Sequence, residues 1–281
     1  MNFAGQRPTP MRRALTLHIP MLAIVLFAIG PYLWMLLTSL RPESTLFSPH
    51  RTLLPDALTP DNYLRLLTKT TFITNIGHST VVAMGTVVLG LALSLTAAYA
   101  FSRYRFAGRR LLMMTFLLIN MFPLILLIIP LFITMRVLGI LDTHLALMLA
   151  HSTFSIPFAT WMMTSYFDAI PRSLDEAAMV DGCTALGAMV KVVLPLAMPG
   201  VVATGIYIFI TSWNEYLYAS VLAGQDVRTL TVAVQSLIGE YEIAWGLLTA
   251  GGVIGALPVT LLFMAIQTRL IAGMTQGAVK G

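Results

Sequence analysis

Long apolar runs, separated by short polar stretches, divide this 281-residue chain into six segments. A helix needs about 20 mostly apolar residues to cross a bilayer core. Four runs meet that length plainly, at about Leu15–Leu40, Phe72–Phe101, Leu111–Val137 and Leu196–Leu222. Two more, near Leu145–Phe167 and Leu247–Ile271, are as long but richer in small and polar residues. The pattern predicts an all-α polytopic membrane protein, a single domain of six transmembrane helices over residues 1–281. Pro20 and Pro31 fall within the first run and predict a bent or broken helix there. Composition points the same way. Hydrophobic residues make up 57% of the chain and charged ones 10%, against about 45–50% and about 25% in soluble domains. So few charges could not screen that much apolar surface from water, whereas lipid solvates it directly.

Charge then sets the expected orientation. A short basic start (Arg7, Arg12, Arg13) has the look of a secretory leader. The run behind it is too long for one and no small-residue cleavage site follows, so an uncleaved anchor is expected. Six crossings put both termini on one side. Of the 17 Lys and Arg, 11 fall on that side, and the tight RYRFAGRR turn after the second run holds four of them. The positive-inside rule makes it the cytoplasmic side. The net charge of +5 is then a topology signal and calls for no nucleic acid. Cys183 is the lone cysteine, which excludes an internal disulfide and a thiolate metal site. No Gly-x-x-x-x-Gly-Lys loop is present, so the chain carries no phosphate-cradling motif of its own.

One stretch breaks the apolar rhythm: SLDEAAMVDGCTALGAMVKVVLPLAMPG, Ser173 to Gly200. Ser173 and Glu176 have the spacing of a capping box, and Asp175 adds negative charge at the helix start. Gly182 suits a turn, a second short helix is expected to run to about Val192, and Pro195 and Pro199 set the angle of the fifth span. Small side chains (Ala177, Ala178, Gly182, Ala185) beside an apolar face (Met179, Val180, Leu186, Met189) suit insertion into a partner's groove. An amphipathic connector lying on lipid headgroups has the same pattern.

Here the residues resemble a known family. EAA, three residues, Gly182, nine residues, then Val192-x-Leu194-Pro195 is similar to the EAA loop of ABC-importer permeases, with Val192 where isoleucine is usual. AAYAFSRYRFAGRR, MFPLILLIIPLF, LGILDT, IPRSLDEAAMVDG, SWNEYLYA and the terminal GMTQGAVKG resemble its carbohydrate-uptake, maltose-type branch, and within it the G-type subunit. The resemblance implies a type I importer permease fold with a cytoplasmic coupling loop at about 168–195. It implies a bacterial or archaeal inner-membrane location, a second, F-type permease, an ATPase dimer that binds ATP and magnesium in place of this chain, an extracytoplasmic solute-binding protein and a carbohydrate substrate. It implies no enzymatic activity and no cofactor here. Glu176, Ala177, Ala178, Asp181, Gly182, Leu194 and Pro195 would couple to the ATPase. Thr275, Gln276, Gly277 and Lys280 would approach it from the tail, although a solvated terminus is the default for any chain end.

Other residues invite separate readings. Glu215 is the acid placed deepest in an expected span. With Trp213, Asn214, Tyr218 and, nearer the third span's centre, Asn120, it could line a polar, aromatic pore surface for sugar. Alternatively Glu215 pairs with the second permease at the outer interface. Asn120 precedes Met121-Phe122-Pro123 and could bond an opened backbone at a helix break. His144 and His151, seven apart, suit helix–helix hydrogen bonds better than a metal site. LTPDNYLRLL reads as a surface helix, either touched by the binding protein or a passive connector. A rival from another class is an ion-coupled secondary transporter using Glu215.

Overall fold

The first apolar run folds as a helix, α1 (Ile19–Ser39), entered through a π-helical turn at Ala14–His18. The computed structural model describes residues 14–46, 57–239 and 243–278, with side chains as far as Gln267 in the last helix. Arg7, Arg12, Arg13, Arg51 and Lys280 lie outside the described residues. Of the bent or broken helix expected in the first span, the break is absent. Pro20 occupies the first turn of α1, where its missing N–H leaves no bond unmade. Pro31 is carried inside the helix, at the expense of one backbone bond.

Two compact units make up the chain, Met1–Thr70 with Leu237–Ala256, and Thr71–Ser236 with Leu257–Gly281. In the first, α1 ends against α2 (Asp61–Lys69), the helix of the LTPDNYLRLL stretch. Asn62, buried, donates from Nδ2 to the carbonyls of Ser39 (2.9 Å) and Arg41 (2.8 Å), and the Ser39 and Tyr63 hydroxyls lie 2.6 Å apart. These bonds satisfy carbonyls that the end of α1 leaves open, so α2 is fastened to its own chain. The last helix, α12 (Trp245–Ala278), begins in this unit, where Glu43 Oε2 accepts from the Gly246 N–H at 2.8 Å.

The second unit is built around α3 (Phe72–Arg103). Its buried face is small and polar: Asn75, Ser79, Ala83, Thr86, Gly90, Ser94, Ala98 and Ser102 recur at helical spacing. In lipid, where apolar side chains gain nothing by leaving their surroundings, such residues mark the packed face because they let backbones approach. Against α3 lie α6 (His144–Asp168) and α9 (Met198–Trp213). Ile208 of α9 fits where Gly90 has no side chain, and Gly200 of α9 lies under the Tyr166 ring of α6.

Two expected spans are bent. The third consists of α4 (Arg109–Met121) and the segment 124–137, which holds α5 (Ile128–Val137), turned by 101° at Phe122-Pro123. The fifth is entered by α8 (Ala185–Leu196), turned by 86° into α9 at Ala197, between Pro195 and Pro199. α9 stops at Trp213 and the chain resumes as α10 (Leu217–Leu222) and then α11 (Leu230–Gln235). Four described helices have the length and apolarity to cross a membrane, or six segments if each bent pair counts as one. Among the described residues no strand forms beyond one isolated bridge, Ile238 with Ile243.

Candidate functional site

The interrupting stretch forms α7 (Ser173–Val180) and α8. The capping box expected from Ser173 and Glu176 is not made: the residue before the helix, Arg172, is already helical and no side chain caps the turn. The reason is Pro171. Its carbonyl accepts from Leu174 N–H (3.3 Å) and that of Arg172 from Glu176 N–H (3.1 Å), so the turn winds one step earlier than the motif assumes. α7 buries Asp175 and Ala178, three residues apart, and points Glu176, Ala177, Met179 and Val180 (87% exposed) away from the chain. Of the expected docking residues, Ala178 thus packs inward. Asp181 and Gly182 are exposed at the helix end. Gly182 adopts φ +90°. Its N–H reaches Met179 O (3.1 Å), and Cys183 N–H reaches Ala178 O (3.0 Å), the reciprocal pair of a Schellman turn. Thr184 then caps the next helix by accepting from Gly187 N–H at 3.1 Å. Leu194 is half-buried and Pro195 exposed.

Beneath α7 lies a polar network that sequence reasoning missed. Tyr99 donates to Asp175 Oδ1 at 2.6 Å, and Arg103 Nε lies 2.9 Å from Asp175 Oδ2. That second approach is an ion-pair contact without hydrogen-bond alignment. Taken locally, Arg103 reads as a topology signal and Asp175 as a charge at a helix start. Only the fold brings them together, because nothing local in the sequence links the end of α3 to the start of α7.

The expected pore residues separate into two groups. Asn120 and Asn214 are exposed and line a cleft of about 490 Å³ with Tyr207, Thr211, Glu215 and Tyr216. Tyr207 packs on Phe158 with ring centres 4.6 Å apart. Trp213 and Tyr218 are instead buried, Trp213 stacked on Phe209 and Tyr218 on Phe154, with the Tyr218 hydroxyl donating to Leu124 O at 2.9 Å. Asn120 bonds back to Phe116 O (3.1 Å) within α4, not to backbone opened by the break. Glu215 touches the cleft but is largely enclosed. Its two oxygens accept from Tyr218 N–H (2.8 Å) and Ala219 N–H (3.0 Å), capping α10, and Oε2 lies 3.2 Å from His151 Nε2. His151 Nδ1 meets the Ser212 hydroxyl at 2.7 Å, and His144 Nε2 meets His78 Nδ1 at 2.8 Å. Both histidines therefore make helix–helix bonds. Among the described residues no group of three metal-ligating side chains forms. Thr275, Gln276 and Gly277 fall in the last helical turns of α12.

At the opposite end of α6 from α7, Asp142 stands in the left-handed region at φ 56°. Its carboxylate accepts from the N–H groups of Gly224 (2.7 Å), Val227 (3.0 Å) and Asp226 (3.1 Å), and its own N–H donates to Leu222 O at 3.0 Å. Partial burial raises its proton affinity, but these backbone donors outweigh that and hold the carboxyl below its ordinary value. A carboxylate more acidic when folded than unfolded stabilises the protein above its unfolded pKa, about 3.9, and loses that contribution as pH falls through the lower, folded value. Asn tolerates the left-handed region, so Asp142→Asn removes the titrating charge, together with one of the two acceptor oxygens, without straining the backbone. Wild type is expected to lose more thermal stability than Asp142→Asn as pH drops below about 4; parallel melting curves would refute it.

Comparison with known proteins fixes what kind of molecule carries these sites. The family model for the binding-protein-dependent transport system inner membrane component matches residues 90–276. This chain belongs to that family. Among permeases with curated descriptions, it is 38% identical over 252 residues to the sulfoquinovosyl glycerol transport system permease protein SmoH of Agrobacterium fabrum, covering 89% of this chain and 88% of that one. It is also 38% identical over 261 residues to the trehalose transport system permease protein SugB of Mycobacterium tuberculosis, covering 92% and 94%. A solved bacterial ABC transporter involved in import of the acidic polysaccharide alginate matches with a TM-score of 0.80 at 24% identity, over 94% of this chain and 99% of that one. The fold is therefore that of an ABC-importer permease, as the motifs implied. A permease of this family is a transport subunit and not an enzyme. Both oxygens of Glu215 are held by the chain's own groups, which leaves ion-coupled transport through it without a supporting observation.

Proposed function

We propose that this permease forms half of the translocation path of an importer for a sugar or polyol, and that a separate cytoplasmic ATPase dimer docks on α7. A second, F-type permease completes the path, and an extracytoplasmic binding protein delivers the solute. ATP and magnesium are held by the ATPase, so this chain needs no cofactor. Both termini and α7 face the cytoplasm, in line with the basic RYRFAGRR turn between α3 and α4. The solute class rests on relatives whose described cargoes are sugars or a sugar glycoside. Closure of the ATPase pair draws the docking helices together and opens the path outward, and hydrolysis resets it, two states whose balance the nucleotide shifts.

The observation that carries this reading is the shape of α7: a two-turn helix with Ala177, Met179 and Val180 outward beside Glu176, closed by a turn at Gly182. Small and apolar residues on a short exposed helix fit a groove. The test is purification of the tagged chain from its native membrane, followed by an ATPase assay of the eluate with and without sugars. In Gly182→Arg, every L side chain is strained at φ +90° by about 1–2 kcal/mol, and a bulky cation stands at the rim. Glu176→Lys reverses the charge of the docking face. Either variant is expected to recover at least about tenfold less ATPase, the equivalent of about 1.4 kcal/mol of docking, with the chain's own melting little changed in Glu176→Lys and lowered only by the backbone strain in Gly182→Arg. Equal recovery from wild type and both variants would overturn the docking role.

A further inference from the structure

Below the docking face, the end of α3 and the first turn of α7 meet through an ion pair that docking itself does not require. The Arg103 and Asp175 side chains are only 7% and 6% exposed. The guanidinium reaches three separate segments at once. Nε faces Asp175 of α7, Nη1 donates to Phe167 O at the end of α6 (3.0 Å), and Nη2 donates to Ile170 O in the turn that follows (3.2 Å). Asp175 is held from its other side by the Tyr99 hydroxyl of α3. Two further bonds close the joint: Ser102 Oγ donates to Asp168 Oδ1 (2.6 Å), and Arg172 Nη2 donates to Ser102 O.

Stability alone is a weak reason for this arrangement. Apolar side chains of similar volume usually replace a buried ion pair with no loss, and the apolar filling is already beside it. Ala98, Tyr99, Met163, Phe167, Met189, Val193 and Ala197 form a continuous core at this end. What apolar contacts do not provide is direction. A helix resting on them can slide or roll with little resistance, whereas the aligned bonds of Arg103 to two carbonyls and of Tyr99 to Asp175, with the two charges in contact between them, fix one angle and one register. The outward face of α7, by contrast, owes nothing to Arg103, since Glu176, Ala177, Met179 and Val180 all point away from it.

We infer that Arg103 and Asp175 are positioning residues that lock α7 to α3 and α6, so that movement imposed on α7 is passed to the membrane helices as rotation of one body. The inference rests on α7 being the ATPase docking helix, but it concerns the step after docking: how motion leaves that helix. It predicts a defect in coupling with docking intact.

The experiment measures solute uptake and phosphate release together in proteoliposomes holding the whole transporter and its binding protein. The main variant is the double Arg103→Met with Asp175→Leu, which removes both charges together, at the cost of partners for the Tyr99 hydroxyl and the Ile170 carbonyl. It is expected to melt somewhat below wild type, to retain the ATPase through purification and to hydrolyse ATP, while uptake per ATP falls about tenfold or more. Arg103→Lys keeps the charge but cannot reach Asp175, Phe167 O and Ile170 O together, so its ratio is expected between the two. Wild-type uptake per ATP in the double variant would overturn the inference and reduce the pair to a fastening. Loss of the ATPase on purification of the double variant would also overturn it, by showing that the pair shapes the docking face. Should the double variant fail to fold, so that no permease is recovered from the membrane at all, the ratio is read on Arg103→Lys and Tyr99→Phe, the latter lacking a single hydroxyl, and an unchanged ratio in both refutes the inference. Failure of the docking reading shows elsewhere, as undiminished ATPase recovery in Gly182→Arg and Glu176→Lys.

Discussion

Glu215→Ala should destabilise the solubilised permease by about 2–6 kcal/mol, the cost of stranding two buried backbone donors. The Glu215 side chain is 7% exposed and serves three groups. Without it, the N–H groups of Tyr218 and Ala219 at the start of α10 lose their acceptors, and His151 Nε2, itself buried, faces an empty space. Each stranded buried donor costs about 1–3 kcal/mol, so the two backbone groups alone set that range. Glu215→Gln keeps one carbonyl acceptor and should lose clearly less. Thermal melting in detergent decides the matter. A Glu215→Ala melt indistinguishable from wild type would mean that α10 does not depend on this cap.

The second large effect is steric. A Cβ built on Gly200 would lie 2.4 Å from Cγ of Tyr166, with both Cδ atoms within 2.7 Å. The root of the ring is hit, not its tip, so no small rotation relieves the contact and α9 must move away from α6. Gly200→Val is expected to destabilise by about 3 kcal/mol, the upper part of the range for overpacking. Because the damage is a collision between two side chains, Tyr166→Ala in the same chain should recover most of it, a coupling that independent sites would not show. Melting curves of the two single variants and the double give the answer. Additive losses would show that Gly200 matters for some other reason.

The helical plan was legible because it rests on run length, which lipid enforces residue by residue. The runs beginning near Leu15, Phe72 and Leu145 became helices within a few residues of their expected limits, and the one beginning near Leu247 became a helix that continues to Ala278. Breaks were less legible, since they depend on what receives the opened backbone. Pro20 and Pro31 suggested a bent or broken helix and α1 runs unbroken through both, whereas the helix break suggested beside Asn120, at Met121-Phe122-Pro123, is a turn of 101°. At the docking stretch, Gly182 could be read because one residue type suits one backbone conformation. Ser173 was misread because the capping rule assumes where the helix begins, and Pro171 moves that point. Asn120 and Asn214 reach a common cleft, while Trp213 and Tyr218 turn inward. Residue type suggests a polar aromatic surface but not the direction in which each side chain points. The Arg103–Asp175 pair was invisible for a plainer reason: its two halves sit on different elements and each had an adequate local explanation.

One dimension of α3 carries a consequence for how such a molecule can work. Its 32 residues make a rod about 48 Å long at about 1.5 Å per residue, against about 30 Å of hydrocarbon. Roughly 18 Å of the rod therefore stands clear of the oil, and its tips can be polar without burying charge in lipid. Tilting such a stilt by about 5° about one tip carries the other sideways by about 4 Å, most of the 5.4 Å pitch of a helical turn. Rocking of a few degrees at one rim thus becomes travel on the scale of a whole side chain at the other.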